Sequence, residues 1–148
     1  MSQAILNSTK TTRGIKTGLQ RTWYVLDASK QPIGRLASEA ARLLMGKNRS
    51  DFSADVDLGG MVVIINCAKA VLTGKKPEKK NYFTHSGRVG GLKVISYNDL
   101  LSKKPTAPIY HAISGMLPKN RHRDLRLNNR LFIFTGHHNL PNKMIPAN

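Results

Sequence analysis

Positively charged side chains are concentrated in two short segments of this 148-residue chain. Between positions 69 and 93 the only acid is Glu78, and between positions 119 and 130 the only acid is Asp124. Ammonium and guanidinium groups with few carboxylates nearby bind phosphate, and a guanidinium group can hold two phosphate oxygens at once. The two segments therefore predict contact with a polyphosphate. Their basic residues are Lys69, Lys75, Lys76, Lys79, Lys80, Arg88 and Lys93, and then Lys119, Arg121, Arg123, Arg126 and Arg130.

In the second segment, three arginines have the spacing of one helical face, namely Arg123, Arg126 and Arg130. Positions three and four apart are neighbours on a helix, and Leu127 and Leu131 fall on a different face. We expect a helix over residues 121–130 that docks through its leucines and presents its guanidinium groups to RNA. A face that is only solvated is disfavoured, because such faces usually mix both signs of charge.

The loop over residues 82–91 combines glycines, hydroxyl groups, an imidazole and aromatic rings. Glycines let the backbone approach a phosphate closely, and the hydroxyl and imidazole groups can bond to phosphate or to a ribose 2′-hydroxyl. We predict phosphate and sugar contact for this loop. Stacking of an unpaired base on its aromatic rings is an alternative to those rings lying in the core. The residues concerned are Tyr82, Phe83, Thr84, His85, Ser86, Gly87, Gly90 and Gly91.

The overall charge also favours a polyanionic partner. The chain has 24 Lys and Arg residues against 8 Asp and Glu residues, a formal net charge of +16. A compact domain with this imbalance repels itself, and a bound polyanion relieves the repulsion. Nucleic acid is favoured over an anionic membrane surface, and the longest apolar run, residues 61–65, is far shorter than a bilayer span. We expect a nucleic-acid partner and no membrane.

Patterns typical of an enzyme or a metal centre are not found in the sequence. The Gly-Lys pairs at positions 46 and 74 lack the other residues of a nucleotide-binding loop, and no serine stands in a nucleophile-elbow pattern. Cys67 is the only cysteine, and the histidines have no paired metal-ligand spacing. We expect no catalytic residue, cofactor, metal or small-molecule substrate.

Strands and helices alternate over residues 22–136, which predicts one α/β layered domain. Apolar spacing predicts a helix from Ile33, and Gly46 is placed to end it. The unalternating apolar run at 61–65 is typical of a parallel strand covered on both faces. After Gly74 we expect a long basic loop. The other predicted strands are 22–27, 71–72 and 131–134, and the other predicted helices are 97–101, 109–117 and 121–130.

Two further segments flank this domain. Residues 1–21 form a basic N-terminal extension that contains no acid. Its composition fits a mitochondrial presequence or a tail that lies on RNA, and we prefer the tail. Residues 137–148 form a C-terminal tail with two prolines and no periodicity.

Several blocks of the sequence, in unbroken order over about residues 22–136, resemble the ribosomal large-subunit protein thirteen family. The resemblance implies a three-layer α/β/α domain with a central, mainly parallel four-stranded sheet, basic loops and extended tails. It also implies a structural protein of the large ribosomal subunit that binds large-subunit ribosomal RNA early in assembly, beside neighbouring ribosomal proteins. The blocks are residues 23–28 (WYVLDA), 33–37 (IGRLA), 57–59 (DLG), 64–69 (IINCAK), 72–76 (LTGKK), 85–88 (HSGR), 90–93 (GGLK) and 115–119 (GMLPK).

By position, the resemblance implies RNA contacts that overlap the basic segments. We expect the ribosome to be cytoplasmic, with a mitochondrial or plastid ribosome as the alternative. The implied contacts are Lys47, Lys69, Lys75, Lys76, His85, Ser86, Gly87, Arg88, Gly90, Gly91, Lys93 and Lys119. The predicted set further includes Arg49, Lys79, Lys80, Tyr82, Arg121, Arg123, Arg126 and Arg130.

The sequence departs from the family pattern at three places. Gly60 stands where an acid is common, Thr84 stands where a histidine is common, and residues 120–123 (NRHR) replace a Gly-Pro-Leu-Gly turn. We expect residues 120–123 to contact RNA differently. Two other functions stay open: a free-standing RNA-binding regulator, for which no sequence-reading helix is found, and a nucleotide-using α/β enzyme, for which the phosphate loop is missing.

Overall fold

The computed structural model describes residues 21–137 and 145–146. The N-terminal extension apart from Arg21, and most of the C-terminal tail, lie outside the described residues. In chain order the elements are β1 (Trp23–Asp27), α1 (Ile33–Met45), β2 (Met61–Ile65), a 3-10 turn (Cys67–Lys69), α2 (Lys76–Lys79), β3 (Asn81–His85), β4 (Leu92–Ser96), α3 (Tyr97–Lys103), α4 (Ala107–Met116), α5 (Arg121–Asn129), β5 (Leu131–Ile133) and β6 (Ile145–Pro146).

A parallel sheet forms the centre of the domain, in the order β5-β2-β1-β6. β1 and β5 pair with the two edges of β2, and β6 adds two residues beside β1. Every residue of β2 from Val62 to Ile65 is buried. The unalternating apolar run is therefore a central parallel strand, and the predicted α/β fold with a mainly parallel sheet is confirmed.

Helix α1 packs its apolar face against the sheet and against α4. Leu36 and Leu44 lie on this face and are both 0% exposed. Gly46 ends the helix with a φ of 78°, and its N–H donates to the carbonyls of Arg42 and Leu43. A positive φ is easy for glycine and costly for other residues, so the predicted end of the helix is confirmed.

The segment between α1 and β2 returns to the sheet in close contact with the end of the helix. The N–H of Gly60 donates to the carbonyl of Leu43 at 3.1 Å. A Cβ atom on Gly59 would lie 1.8 Å from the carbonyl oxygen of Leu44, so only glycine fits there. This close approach helps to fix Asp57, two residues earlier, beside the end of α5.

The prediction of a long basic loop after Gly74 is wrong. α2 forms one helical turn there, and β3 and β4 form an antiparallel hairpin separate from the central sheet. Tyr82 pairs with Ile95 on the half-buried face, whereas Phe83 pairs with Val94 on the exposed face. Because the hairpin buries few side chains, its apolar pattern is weak and the glycines of its turn dominate the sequence. The strand predicted at 71–72 is reduced to a single bridge.

Candidate nucleic-acid interface

Four lysines surround one open depression, and we call Lys75, Lys76, Lys79 and Lys80 the lysine cluster. The depression has a volume of about 390 Å³. The four side chains converge because α2 is a single turn, which carries Pro77 at its second residue, where a missing N–H costs nothing. The N–H of Lys80 donates to the carbonyl of Lys76 at 2.9 Å and closes the turn.

The lysine cluster carries uncompensated positive charge. All four lysines are exposed, and within residues 21–137 no carboxylate forms an ion pair with them. The Nζ atom of Lys80 lies 5.4 Å from the ring centroid of Tyr82, a cation–π distance. Like charges around one depression repel each other, so a polyanion that enters it lowers the energy of all four.

The turn between β3 and β4 exposes glycine backbone and polar side chains, and we call residues 85–90 the hairpin tip. Gly87 and Gly90 have φ angles of 84° and 72°, which favour glycine. The N–H of Gly87 donates to Nδ1 of His85 at 2.9 Å, which leaves Nε2 as the donor nitrogen of the neutral imidazole. Ser86 and Arg88 are exposed beside it. The tip thus offers an imidazole N–H, a hydroxyl and a guanidinium to phosphate or ribose oxygens.

The second basic segment does not form one exposed face. Arg126 and Arg130 are 4% and 7% exposed, and both pair with Asp57. Nε of Arg126 lies 3.1 Å from Oδ1 of Asp57, and Nη1 of Arg130 lies 2.9 Å from the same oxygen. The prediction that these two arginines lie with Arg123 on one exposed face of α5 is wrong. Their partner is a carboxylate 69 and 73 residues earlier in the chain, which helical spacing alone does not reveal.

Arg21 completes what we call the arginine network, which consists of Arg21, Asp57, Arg126 and Arg130. The Arg21 guanidinium donates to the carbonyls of Gly59 at 2.5 Å and of Asp57 at 3.4 Å. Burial lowers the pKa of Arg126, and burial together with the charge of Arg21 lowers the pKa of Arg130 to about 10. Arginine side chains stay protonated in proteins, so two guanidinium groups pair with the carboxylate of Asp57 and a third, that of Arg21, lies at the neighbouring backbone carbonyls. The network has an excess of positive charge.

Arg123 is intermediate between the exposed and buried arginines of the segment. It is half-buried, its guanidinium donates to Oγ of Ser114, and its Nε is buried without a hydrogen-bond partner among the described residues. Lys119 and Arg121 are exposed. The second segment therefore contributes two exposed basic side chains to the surface, not five.

Comparison with known proteins identifies the family. The model of the family described as ribosomal protein L13 matches residues 21–139. The chain belongs to the ribosomal protein L13 family. The large ribosomal subunit protein uL13 of Clostridioides difficile is 51% identical to it over 118 residues, which are 80% of this chain and 82% of the relative. The uL13 proteins of Carboxydothermus hydrogenoformans and Picosynechococcus are 52% and 46% identical, over 70% and 80% of this chain and 72% and 78% of the relatives.

The remaining predicted contacts of this L13 family member lie on separate elements. Lys69 ends the 3-10 turn after β2, Lys93 lies on β4, and both are exposed. Lys47 is exposed just after α1. Arg49 is already engaged, because two of its nitrogens lie 2.8 Å from the oxygens of Asp51. The hydrogen bond to Asp51 raises the pKa of Arg49.

The hairpin separates two aromatic residues that are adjacent in sequence. The Tyr82 ring is half-buried, 5.6 Å from the His111 ring, and burial, with a smaller effect of Tyr97, raises the pKa of its hydroxyl. Phe83 lies on the opposite face and is 67% exposed. The sequence-based contact set includes Tyr82 and omits Phe83. Strand alternation is the signal that distinguishes them, since neighbouring residues of a strand face opposite sides.

Cys67 of this L13 family member is a core residue. It is 0% exposed, and burial raises the pKa of its thiol to about 12, so the thiol is neutral at physiological pH. Among the described residues, no three His, Cys, Asp or Glu side chains are grouped as a metal site would require. No helix in the described part of the chain has the length and apolar character needed to span a membrane.

Proposed function

We propose that this chain is a structural constituent of the large ribosomal subunit, where it binds ribosomal RNA through exposed basic residues and catalyses no reaction. Its bacterial relatives are named as large ribosomal subunit proteins. The chain accordingly works in the cytoplasmic ribosome, beside rRNA and neighbouring ribosomal proteins. Membership of this family does not support a free-standing RNA-binding regulator.

One observation carries the choice of surface: the lysine cluster and the hairpin tip are exposed, basic and unpaired with acids in the described structure. Arg126 and Arg130 act indirectly, by holding α5 against the domain. Arg49, Tyr82 and Arg123 are engaged within the protein and border the surface. The proposed RNA contacts are Lys47, Lys69, Lys75, Lys76, Lys79, Lys80, His85, Ser86, Gly87, Arg88, Gly90, Gly91, Lys93, Lys119 and Arg121.

The proposed mechanism is phosphate neutralisation where RNA segments converge. If six to eight phosphates are neutralised, the logarithm of affinity falls with the logarithm of salt concentration at a slope of about −4 to −7. Phosphate contacts fix position without reading sequence, so specificity comes from the shape of the RNA and from hydroxyl contacts at the hairpin tip.

The finer architecture is also a proposal. We infer a three-layer α/β/α domain in which Ile145–Pro146 completes a four-stranded parallel sheet. The pairing of this segment with Tyr24 and Val25 supports the fourth strand. A fully apolar β2 supports helical cover on both faces of the sheet.

Sucrose-gradient sedimentation of a cell lysate at high salt tests the function. We expect the protein to migrate with large subunits. A variant with Lys75→Gln and Lys76→Gln should shift partly to the top of the gradient, whereas a matched control with Lys103→Gln and Lys104→Gln, an adjacent exposed pair outside the proposed surface, should not. Migration of the wild-type chain only at the top of the gradient would overturn the proposal.

A further inference from the structure

A second cavity lies between the end of α1 and the start of α5, and neither the lysine cluster nor the hairpin tip accounts for it. Its volume is about 380 Å³, within the range of roughly 300–1,000 Å³ that ligand sites occupy. The segment after α1 forms one side, and the residues that lead into α5 form the other. We call it the α1–α5 cleft.

Part of the wall of the α1–α5 cleft is apolar and includes an exposed aromatic ring. Met45 and Pro118 line it, and Phe52 lines it with 41% of its surface exposed. A large aromatic side chain that stays partly in water beside an apolar cavity presents a face on which a flat apolar group can stack. A nucleobase is such a group, and stacking on an aromatic ring does not depend on which base is present.

Three polar groups lie around the same cavity. Lys47 and Asn120 are exposed, and Arg126 is buried at 4% exposure. An amide both donates and accepts, as the edge of a base requires, and a lysine ammonium binds phosphate. The cleft therefore combines an apolar slot, an amide and a cation, which match the base, the base edge and the phosphate of one nucleotide.

The charge around the cleft is positive. Arg126 uses its Nε for Asp57, and Asp57 is shared with Arg130. Lys47 and Arg126 line the cleft and no acid does, while Asp51 in the nearby segment pairs with Arg49. An anionic occupant is favoured over a cationic or purely apolar one.

The cleft also adjoins residues already proposed to bind RNA. Lys119 stands between the lining residues Pro118 and Asn120, and Lys47 belongs to both the cleft and the proposed contact set. An RNA strand that contacts Lys47 and Lys119 would therefore pass the mouth of the cleft. On the basis of the proposed function, we infer that the α1–α5 cleft receives one unstacked nucleotide of the bound rRNA, with its base against Phe52 and its phosphate at Lys47.

Fluorescence tests this proposal directly. The chain has one tryptophan, Trp23, so a variant with Trp23→Phe and Phe52→Trp reports from the cleft alone. Titration with naked large-subunit rRNA should quench the indole at position 52, because a stacked base quenches it. Titration with heparin, a polyanion without bases, should not. Quenching of equal size by heparin would overturn the proposal.

Affinity measurements separate stacking from charge. Phe52→Leu should weaken rRNA binding by roughly 5- to 150-fold with an unchanged salt slope, as expected for the loss of one base–aromatic stack. Lys47→Met should make the slope shallower by about 0.7 to 0.9, while the control Lys30→Met leaves it unchanged. If rRNA binds but leaves the emission of the indole at position 52 unchanged, and Phe52→Leu keeps the wild-type affinity, the nucleotide site in the cleft is overturned and the proposed function stands. This is the result expected if a neighbouring protein fills the cleft instead. Failure of the wild-type chain to bind rRNA would overturn both.

Discussion

The lysine cluster and the arginine network both gather positively charged side chains, but the chain uses the two regions differently. The lysine cluster extends from a single helical turn with no acid partner in the described structure, and all its members are exposed. The arginine network gathers around Asp57, and Arg126 and Arg130 are almost completely buried. The first region can meet a polyanion, whereas the second stabilises the position of α5.

The comparison shows that the role of a basic segment depends on which acids pack against it in the folded protein, and not on its own composition. Guanidinium groups pair well inside proteins because their flat, fixed geometry matches a carboxylate. Ammonium groups on flexible stems stay hydrated, and burial without a partner is costly for them. The lysines therefore remain on the surface, and the two arginines that reach Asp57 do not.

The largest expected effect comes from removing the centre of the arginine network. Asp57→Ala leaves two buried guanidinium groups unpaired, which is expected to lower the free energy of unfolding by about 3–5 kcal/mol. Urea denaturation followed by circular dichroism measures this. The control Asp51→Ala removes an exposed carboxylate that pairs with Arg49 and should not shift the unfolding midpoint measurably. Equal midpoints for the two variants would remove the distinction between a buried network and a surface pair.

A compensated variant sharpens the interpretation. Asp57→Leu combined with Arg126→Met and Arg130→Met replaces the buried charges by apolar groups and should recover most of the stability lost in Asp57→Ala. The same urea titration measures the recovery. A triple variant as unstable as Asp57→Ala would mean that the network contributes more than the pairing of its charges.

The smallest effect on stability is expected in the lysine cluster. Replacing its four lysines by glutamine should change the free energy of unfolding by no more than about 0.5 kcal/mol per residue, since these side chains are exposed and form no ion pair with described carboxylates. A thermal melt is sufficient to check this. A large loss of stability would show that the lysines belong to the folded core and would erase the contrast with the arginines.

Most of the secondary structure follows from local patterns in the sequence. β1, α1 with its cap at Gly46, β2 and the three later helices α3, α4 and α5 are confirmed because each depends on apolar spacing or on a single cap residue. The hairpin could not be recognised in this way, since it buries only part of one face and its turn is rich in glycine.

The candidate interface was predictable where it depends on exposed, local residues and not where it depends on long-range pairing. The lysine cluster follows from the sequence alone. The burial of Arg126 and Arg130 does not, because it depends on a carboxylate brought close by the contact between Gly59 and the end of α1. Likewise, the α1–α5 cleft depends on residues from two distant segments, so Phe52 carried no signal in the sequence.

The salt dependence of rRNA binding tests the central claim most directly. For the wild-type chain we predict a slope of log affinity against log salt of about −4 to −7, and Lys75→Gln with Lys76→Gln should make it shallower by about 1.5. The control with Lys103→Gln and Lys104→Gln should keep the wild-type slope. An unchanged slope after loss of the two cluster lysines, or an equally shallow slope in the Lys103 and Lys104 control, would contradict the assignment of RNA contact to the lysine cluster.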